Sequence, residues 1–260
     1  MPITKPYRIL RLQGETHTDV EDTVMCEYRL PVYVNGRHFI TLLCMEQDLD
    51  ALALGHLCSS GVIHSTEDVQ SLVVVEGVAH ITLRDDAFLA DDEATRPVRT
   101  LTTTLDRQHP VAYAVCGDPA ARINADVRFK LADVQKRVQS FQGDSELFIA
   151  TGGVHSCALC GADGRLLYFM EDLGRHNAFD KAIGAALRDG VALSACFMMT
   201  SGRIPSDMLI KAVNARLPMI VSRSAPTDAA IDMAREYGVT LCGFARGARM
   251  NIYSVPERLI

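Results

Sequence analysis

Apolar and polar positions alternate through residues 28–45, where YRLPVYV and RHFITLLCM read as two strands. Asn35-Gly36 joins them, the dipeptide that best tolerates the positive φ of a type I′ turn, so the segment predicts a β-hairpin. The period then changes. Between Asp48 and Leu57, the residues Leu49, Leu52, Ala53 and Leu57 fall on one side of a helix, and Ser59, Ser60 and Gly61 stop it. Two further strands, SLVVVE and VAHITL, flank Glu76-Gly77. The stretch RDDAFLADDEATRPVRT is polar and contains proline, which predicts a surface connection.

From Leu131 the pattern shifts. A helix, LADVQKRVQSF, precedes the apolar runs ELFIA, HSCALC and LLYFM, the last two joined at Asp163-Gly164. Helix and strand alternate afterwards: helix 176–188, strand ACFMM, helix 206–216 with Ser206 as its N-cap, strand PMIVS, helix 227–237, strand VTLCGF and a short strand near MNIYS. Strands separated by such helices need right-handed crossovers and pair in parallel. The fold class is therefore α/β, with a mixed sheet carrying helices on both faces in the second half and a smaller α+β first half. The boundary falls between residues 105 and 130, giving segments 1–125 and 126–260.

Composition narrows the function. Of 260 residues 48% are apolar, enough for a sizeable core, and 26 Lys and Arg stand against 32 Asp and Glu. A formal charge of -6 argues against a whole-surface nucleic-acid binder, so any anionic ligand must be held locally. Residues 200–260 carry 8 basic against 5 acidic residues, which concentrates positive charge late in the chain. There is no signal-peptide pattern and no apolar run near the ~20 residues that span a bilayer, so the expectation is a soluble intracellular protein with no membrane association. Eight cysteines in this length are too dilute for a disulfide scaffold, and those inside apolar runs, such as Cys44 and Cys196, read as core thiols.

Five segments carry candidate chemistry. Cys116, in HPVAYAVCGDPAARINAD, sits in a Gly- and Pro-rich stretch, where an accessible thiolate can carry sulfur as a persulfide; a turn cysteine without a role fits the spacing as well. Cys157 and Cys160 form a CxxC on a predicted strand, where residues three apart face opposite sides, and no second pair completes a zinc site. The turn TSGRIPSDM joins a strand to a helix, so the backbone N–H groups of Thr200, Ser201 and Gly202, with Arg203, outline an anion site. An ordinary strand-to-helix turn explains it equally. In GFARGARMNIY, Arg246 and Arg249 flank Gly247, and in EDLGRHNAFDK, Arg175, His176, Asn177, Asp180 and Lys181 open a helix. Loops at the same ends of parallel strands converge, so these clusters predict one crevice for a polyanion. His38, His80 and His109 have no partner at metal-ligand spacing.

The motifs TGGVHSCAL, EDLGRHNAFDKAIG, TSGRIPSDMLIKA, VSRSAPTDAAIDMA and GFARGARMNIYS together resemble the formate dehydrogenase accessory sulfurtransferase family, FdhD. The likeness covers nearly all of the second half and, more loosely, the helix around LALGHLCSSGVI. It implies a cytoplasmic homodimer whose larger domain has a cytidine-deaminase-like fold. It also implies that sulfur passes as a persulfide from a cysteine desulfurase to the bis-guanine-dinucleotide cofactor of molybdenum or tungsten, before insertion into the formate dehydrogenase catalytic subunit. GDP-like nucleotides would mimic that cofactor.

The family pattern at the sulfur loop is CGxCG and this chain reads CGDPA, so Cys116 matches the carrier cysteine while Pro119 replaces the second. Phe244, Ala245, Arg246, Gly247, Ala248 and Arg249 match the family's cofactor-binding stretch, and the convergence of the clusters makes Thr200 to Arg203, Arg175 and His176 its expected neighbours. A chaperone that binds and delivers the cofactor without moving sulfur is the alternative. A zinc deaminase would need a His or Cys two residues before a Glu together with PCxxC, and the chain has no PCxxC, so no bound zinc is expected.

Overall fold

A computed structural model describes residues 2–85, 122–123, 126–141 and 145–260. Strands β1 (Thr4–Gln13) and β2 (Thr16–Met25) form a two-stranded antiparallel ribbon. The alternation of residues 4–25 did not announce it, because both faces of the ribbon meet solvent and Tyr7, Leu10 and Leu12 are all exposed. Strands β3 (Tyr28–Val34) and β4 (Arg37–Cys44) form the expected hairpin, with φ of 48° at Asn35 and 76° at Gly36, as a type I′ turn requires. Helix α1 (Leu49–Ser59) leads to β5 (Val69–Val75) and β6 (Val78–Leu83), and the four strands pair in the order β4-β3-β6-β5.

Helix α1 departs from its one-sided expectation. Every residue from Ala51 to Ser59 is buried, because the helix lies between the four-stranded sheet and the helices of the second half. An all-round apolar helix is what such a position demands.

In the second half, α2 (Leu131–Phe141) and α3 (Glu146–Thr151) precede β7 (His155–Gly161), β8 (Leu166–Asp172), α4 (Arg175–Arg188), β9 (Cys196–Thr200), α5 (Ser206–Asn214), β10 (Met219–Ser222), α6 (Asp228–Tyr237), β11 (Thr240–Arg246) and β12 (Arg249–Ser254). The run ELFIA is helical, not extended, because the Ser145 hydroxyl accepts the Phe148 N–H at 2.9 Å and caps it. Helix α5 is preceded by Pro205, with Ser206 already inside and no side-chain cap.

The six strands pair in the order β12-β11-β10-β9-β7-β8, with β9, β10 and β11 parallel and the remaining pairings antiparallel. Alternate strand residues serve two cores. Cys157, Leu159, Met198, Ile220 and Leu241 pack under α4, α5 and α6, whereas Ala158, Cys160, Phe197, Met199, Val221 and Cys242 pack under α2. The first of these cores runs on through α1 to the four-stranded sheet. No described helix is long and apolar enough to cross a membrane.

Candidate functional site

Where β9, β10 and β11 end, their loops open into a cavity of about 480 Å³. Ser201 comes from the end of β9, Arg223 and Ser224 from β10, and Arg246 from β11. Leu173 after β8, His155 at the start of β7, and Phe148 and Gly153 around α3 complete the wall. This is the carboxyl edge of the parallel strands, where α/β sheets hold ligands because successive loops converge there.

Local bonding fixes the side chains. Ser201 Oγ accepts the Ser156 N–H at 3.1 Å and lies 3.2 Å from His155 Nδ1. Arg223 N–H donates to the Thr200 carbonyl at 3.1 Å, which ties the β10 loop to the β9 loop. The Ser224 carbonyl accepts the Phe244 N–H at 3.0 Å. At that point β11 carries a bulge: Gly243 pairs with Asn251 and Arg246 with Arg249, so one extra residue is accommodated between them. Phe244 takes φ 52° there, a left-handed conformation that a bulky residue adopts only when its surroundings impose it. Phe244 is 39% exposed but does not line the cavity, whereas Phe148, also exposed, does.

Charge at the cavity is one-sided. Arg223 and Arg246 line it, and neither is paired with a carboxylate among the described residues. Burial pushes the His155 imidazole below the usual histidine range, and the nearby Arg175 guanidinium lowers it further, so this ring is neutral at pH 7. Arg175 packs behind Gly202, where an added Cβ would sit 3.1 Å from the arginine side chain and 3.6 Å from His155 Nδ1, so any side chain there requires the arginine to give way by a few tenths of an ångström.

The structure thus joins two of the anticipated clusters, through Ser201 and Arg246, and places Arg175 next to them. Arg203 and Arg249 are exposed and do not line the cavity, Ala245 is buried in the core, and Gly247 and Ala248 form the β11–β12 turn. Ala248 is fastened to α2 by its carbonyl, which accepts from Gln135 at 2.9 Å. The amides of the TSGR turn are engaged internally: Ser201 N–H donates to Ser156 O, Gly202 N–H to Thr200 Oγ1 and Ile204 N–H to Ala225 O. These amides are therefore occupied within the protein, and Ser201 is the residue of the turn that lines the cavity. Arg223, Ser224 and His155 were not anticipated, although VSRS follows strand β10 just as TSGR follows β9, and the convergence of neighbouring loops singles it out.

The polar residues that open α4 have structural roles. Lys181 Nζ is fully buried, 2.7 Å from Asp172, whose other oxygen accepts from Asn177 at 2.9 Å. Asp180, also fully buried, accepts from Ser59 at 2.7 Å, lies 3.1 Å from His56 Nδ1 and meets Lys211 Nζ at 2.5 Å. Burial alone would raise the Asp180 pKa, but the Lys211 charge and the His56 contact bring it down to about 2. His176 lies 3.4 Å from Asp207, and burial, reinforced by Lys211, depresses its pKa to about 3. Asn177, Asp180 and Lys181 therefore weld α4 to α1, α5 and β8 and are not presented to a polyanion.

Cys157 and Cys160 are buried on opposite faces of β7, and burial pushes the Cys157 thiol up to about 12. Cys44 and Cys196 are buried core thiols, as expected. Cys116 and Pro119 lie outside the described residues. Ile123 lies at the opposite end of the parallel strands from the cavity, where its N–H donates to Tyr237 O and its carbonyl accepts from the buried Arg258.

These features define a class: an α/β protein with an arginine-lined cavity at the carboxyl ends of its parallel strands. The chain belongs to the FdhD/NarQ family, whose model matches residues 25–260. It is 33% identical over 261 residues to the sulfur carrier protein FdhD of Listeria innocua, covering 100% of both chains. To that of Bacillus subtilis it is 34% identical over 253 residues, covering 95% of this chain and 94% of the relative. The fold matches a crystal structure from Desulfotalea psychrophila, assigned as a formate dehydrogenase accessory protein, with a TM-score of 0.80 and 23% identity over the whole of both chains.

Proposed function

We propose that this protein is a sulfur carrier that loads Cys116 as a persulfide and delivers the sulfur to the molybdenum or tungsten bis-guanine-dinucleotide cofactor destined for formate dehydrogenase. The observation that supports it most is the cavity: two arginines, two serines and a neutral histidine, with the exposed ring of Phe148, suit a ligand that combines phosphates with flat bases. In the loading step the Cys116 thiolate attacks the terminal sulfur of a cysteine desulfurase persulfide, and the desulfurase cysteine leaves as a thiolate. GDP serves as a mimic of one nucleotide arm of the cofactor.

The reading carries a cytoplasmic homodimer, with the desulfurase and the formate dehydrogenase catalytic subunit as transient partners. It takes residues 126–260 as a cytidine-deaminase-like domain and 1–125 as a smaller one, a division supported by the separate six- and four-stranded sheets. A second reading, a chaperone that delivers the cofactor without moving sulfur, is favoured by Pro119, which removes the neighbouring thiol of the family's CGxCG pattern. Intact mass analysis after incubation with a cysteine desulfurase and cysteine separates the two. A gain of one sulfur, absent in Cys116→Ala, supports the carrier; an unchanged mass supports the chaperone.

A further inference from the structure

Ligand phosphates in cells usually arrive with Mg²⁺, and sites built for the pair commonly hold the metal through one or two carboxylates. The described residues that line the cavity at the carboxyl edge offer none. Among its described lining residues the only charged groups are Arg223 and Arg246, and the other polar ones are Ser201, Ser224 and His155. The two carboxylates that precede Leu173 in the chain are committed elsewhere. Glu171 accepts hydrogen bonds from the Ser145 and Ser156 hydroxyls, and Asp172 is held by Lys181, Asn177 and the Met45 N–H.

We propose that this cavity binds a diphosphate free of divalent cation, with Arg223 and Arg246 clamping the oxygens that Mg²⁺ otherwise occupies. Two guanidinium groups repel a metal ion brought in with the ligand, and they compete with it for the same oxygens. Arg223 is the fixed jaw. It is half-buried and its backbone is tied to Thr200. Arg246 is the exposed jaw, carried beyond the bulge at Phe244. Magnesium therefore acts as a competitor for the ligand rather than as its partner.

The assignment of a guanine dinucleotide to the cavity rests on the function proposed above; the metal-free clamp does not. The test is calorimetry on the full chain with two probes, GDP and inorganic pyrophosphate, each in excess EDTA and in excess MgCl₂. Both probes are expected to bind in EDTA and to bind more weakly in MgCl₂. Arg223→Ala should weaken binding in EDTA by roughly tenfold to a hundredfold, with Arg223→Lys in between because it keeps the charge and loses the planar fork.

Binding that MgCl₂ strengthens, or an affinity unchanged in both Arg223 variants, would overturn the clamp and leave the dinucleotide reading standing. Pyrophosphate binding in EDTA without any GDP binding would overturn the dinucleotide reading and leave the clamp. Failure of both probes to bind would overturn both.

Discussion

Gly55 of α1 and Gly184 of α4 face each other where the two helices cross, each standing where a side chain on the other would go. A Cβ on Gly55 would lie 2.8 Å from the Gly184 nitrogen, and one on Gly184 would lie 2.7 Å from the Gly55 nitrogen. Both would also run into carbonyls, those of Asp180 and Ala51 respectively. The first half of the chain is thus pressed directly onto the backbone of the helix that opens beside the cavity.

Substituting either glycine tests that contact. In an exposed helix Gly→Ala is stabilising by about 1 kcal/mol, but here the backbones must separate, and overpacking costs about 1–3 kcal/mol or more. Gly184→Ala is expected to lower the urea midpoint, and an unchanged or raised midpoint would show that the helices are not in contact.

The buried Lys211–Asp180 pair makes a second, larger prediction. Lys211→Met leaves Asp180 fully buried with only His56 and Ser59 as partners, and removing one member of such a pair costs about 3–5 kcal/mol. Replacing both, with Asp180→Leu, should recover much of that loss. Chemical denaturation of the single and double variants reads the difference.

Stability should also fall as acid is added, and the sign follows from the histidines. Burial depresses the folded-state pKa of His56, and that of His176 to about 3, below the unfolded value near 6.5. Between about pH 6.5 and 3 the unfolded chain therefore binds more protons at His176 than the folded one, and that histidine contributes up to about 1.4 kcal/mol of lost stability per pH unit; His56 adds a loss of the same sign below about pH 6.5. Asp180 adds its loss only lower, as pH falls through the unfolded carboxylate value near 3.9 towards about 2. Thermal melts from pH 7 to pH 4 should show a steady decline, made shallower by His176→Gln.

Cys157 offers a check on the sulfur path. Its thiol is fully buried and pushed up to about 12, so it is neither nucleophilic nor accessible at pH 7. Cys157→Ala should leave persulfide loading and sulfur delivery unchanged, whereas Cys116→Ala should abolish both. A loss of delivery in the Cys157 variant, with the fold retained, would assign it a relay role.

Arg246 and Arg249 separate the cavity from the turn beyond it. Since Arg246 lines the cavity and Arg249 does not, Arg246→Ala should weaken GDP by roughly tenfold or more and Arg249→Ala by less. The affinity of wild type should fall as salt rises, because the attraction is local charge on a chain of formal charge -6. Titrations at two ionic strengths measure both effects.

Much of the architecture was legible in the chain itself. Asn35-Gly36 dictates its turn because few other pairs accept two positive φ angles, and the alternation of helix and strand after Arg175 dictates a parallel sheet because short crossovers allow no other pairing. From these the strand ends that bear Ser201 and Arg246 follow. What the sequence could not disclose were facts of contact. Nothing local to Lys181 or Asp180 says that its charge is buried against Asp172 or Lys211, since polar residues at a helix opening look the same whether they meet a ligand or a neighbouring helix. Nothing in residues 4–25 marks a ribbon whose two faces both meet water. Periodicity records one boundary between core and solvent; where an element has two cores or none, only packing decides.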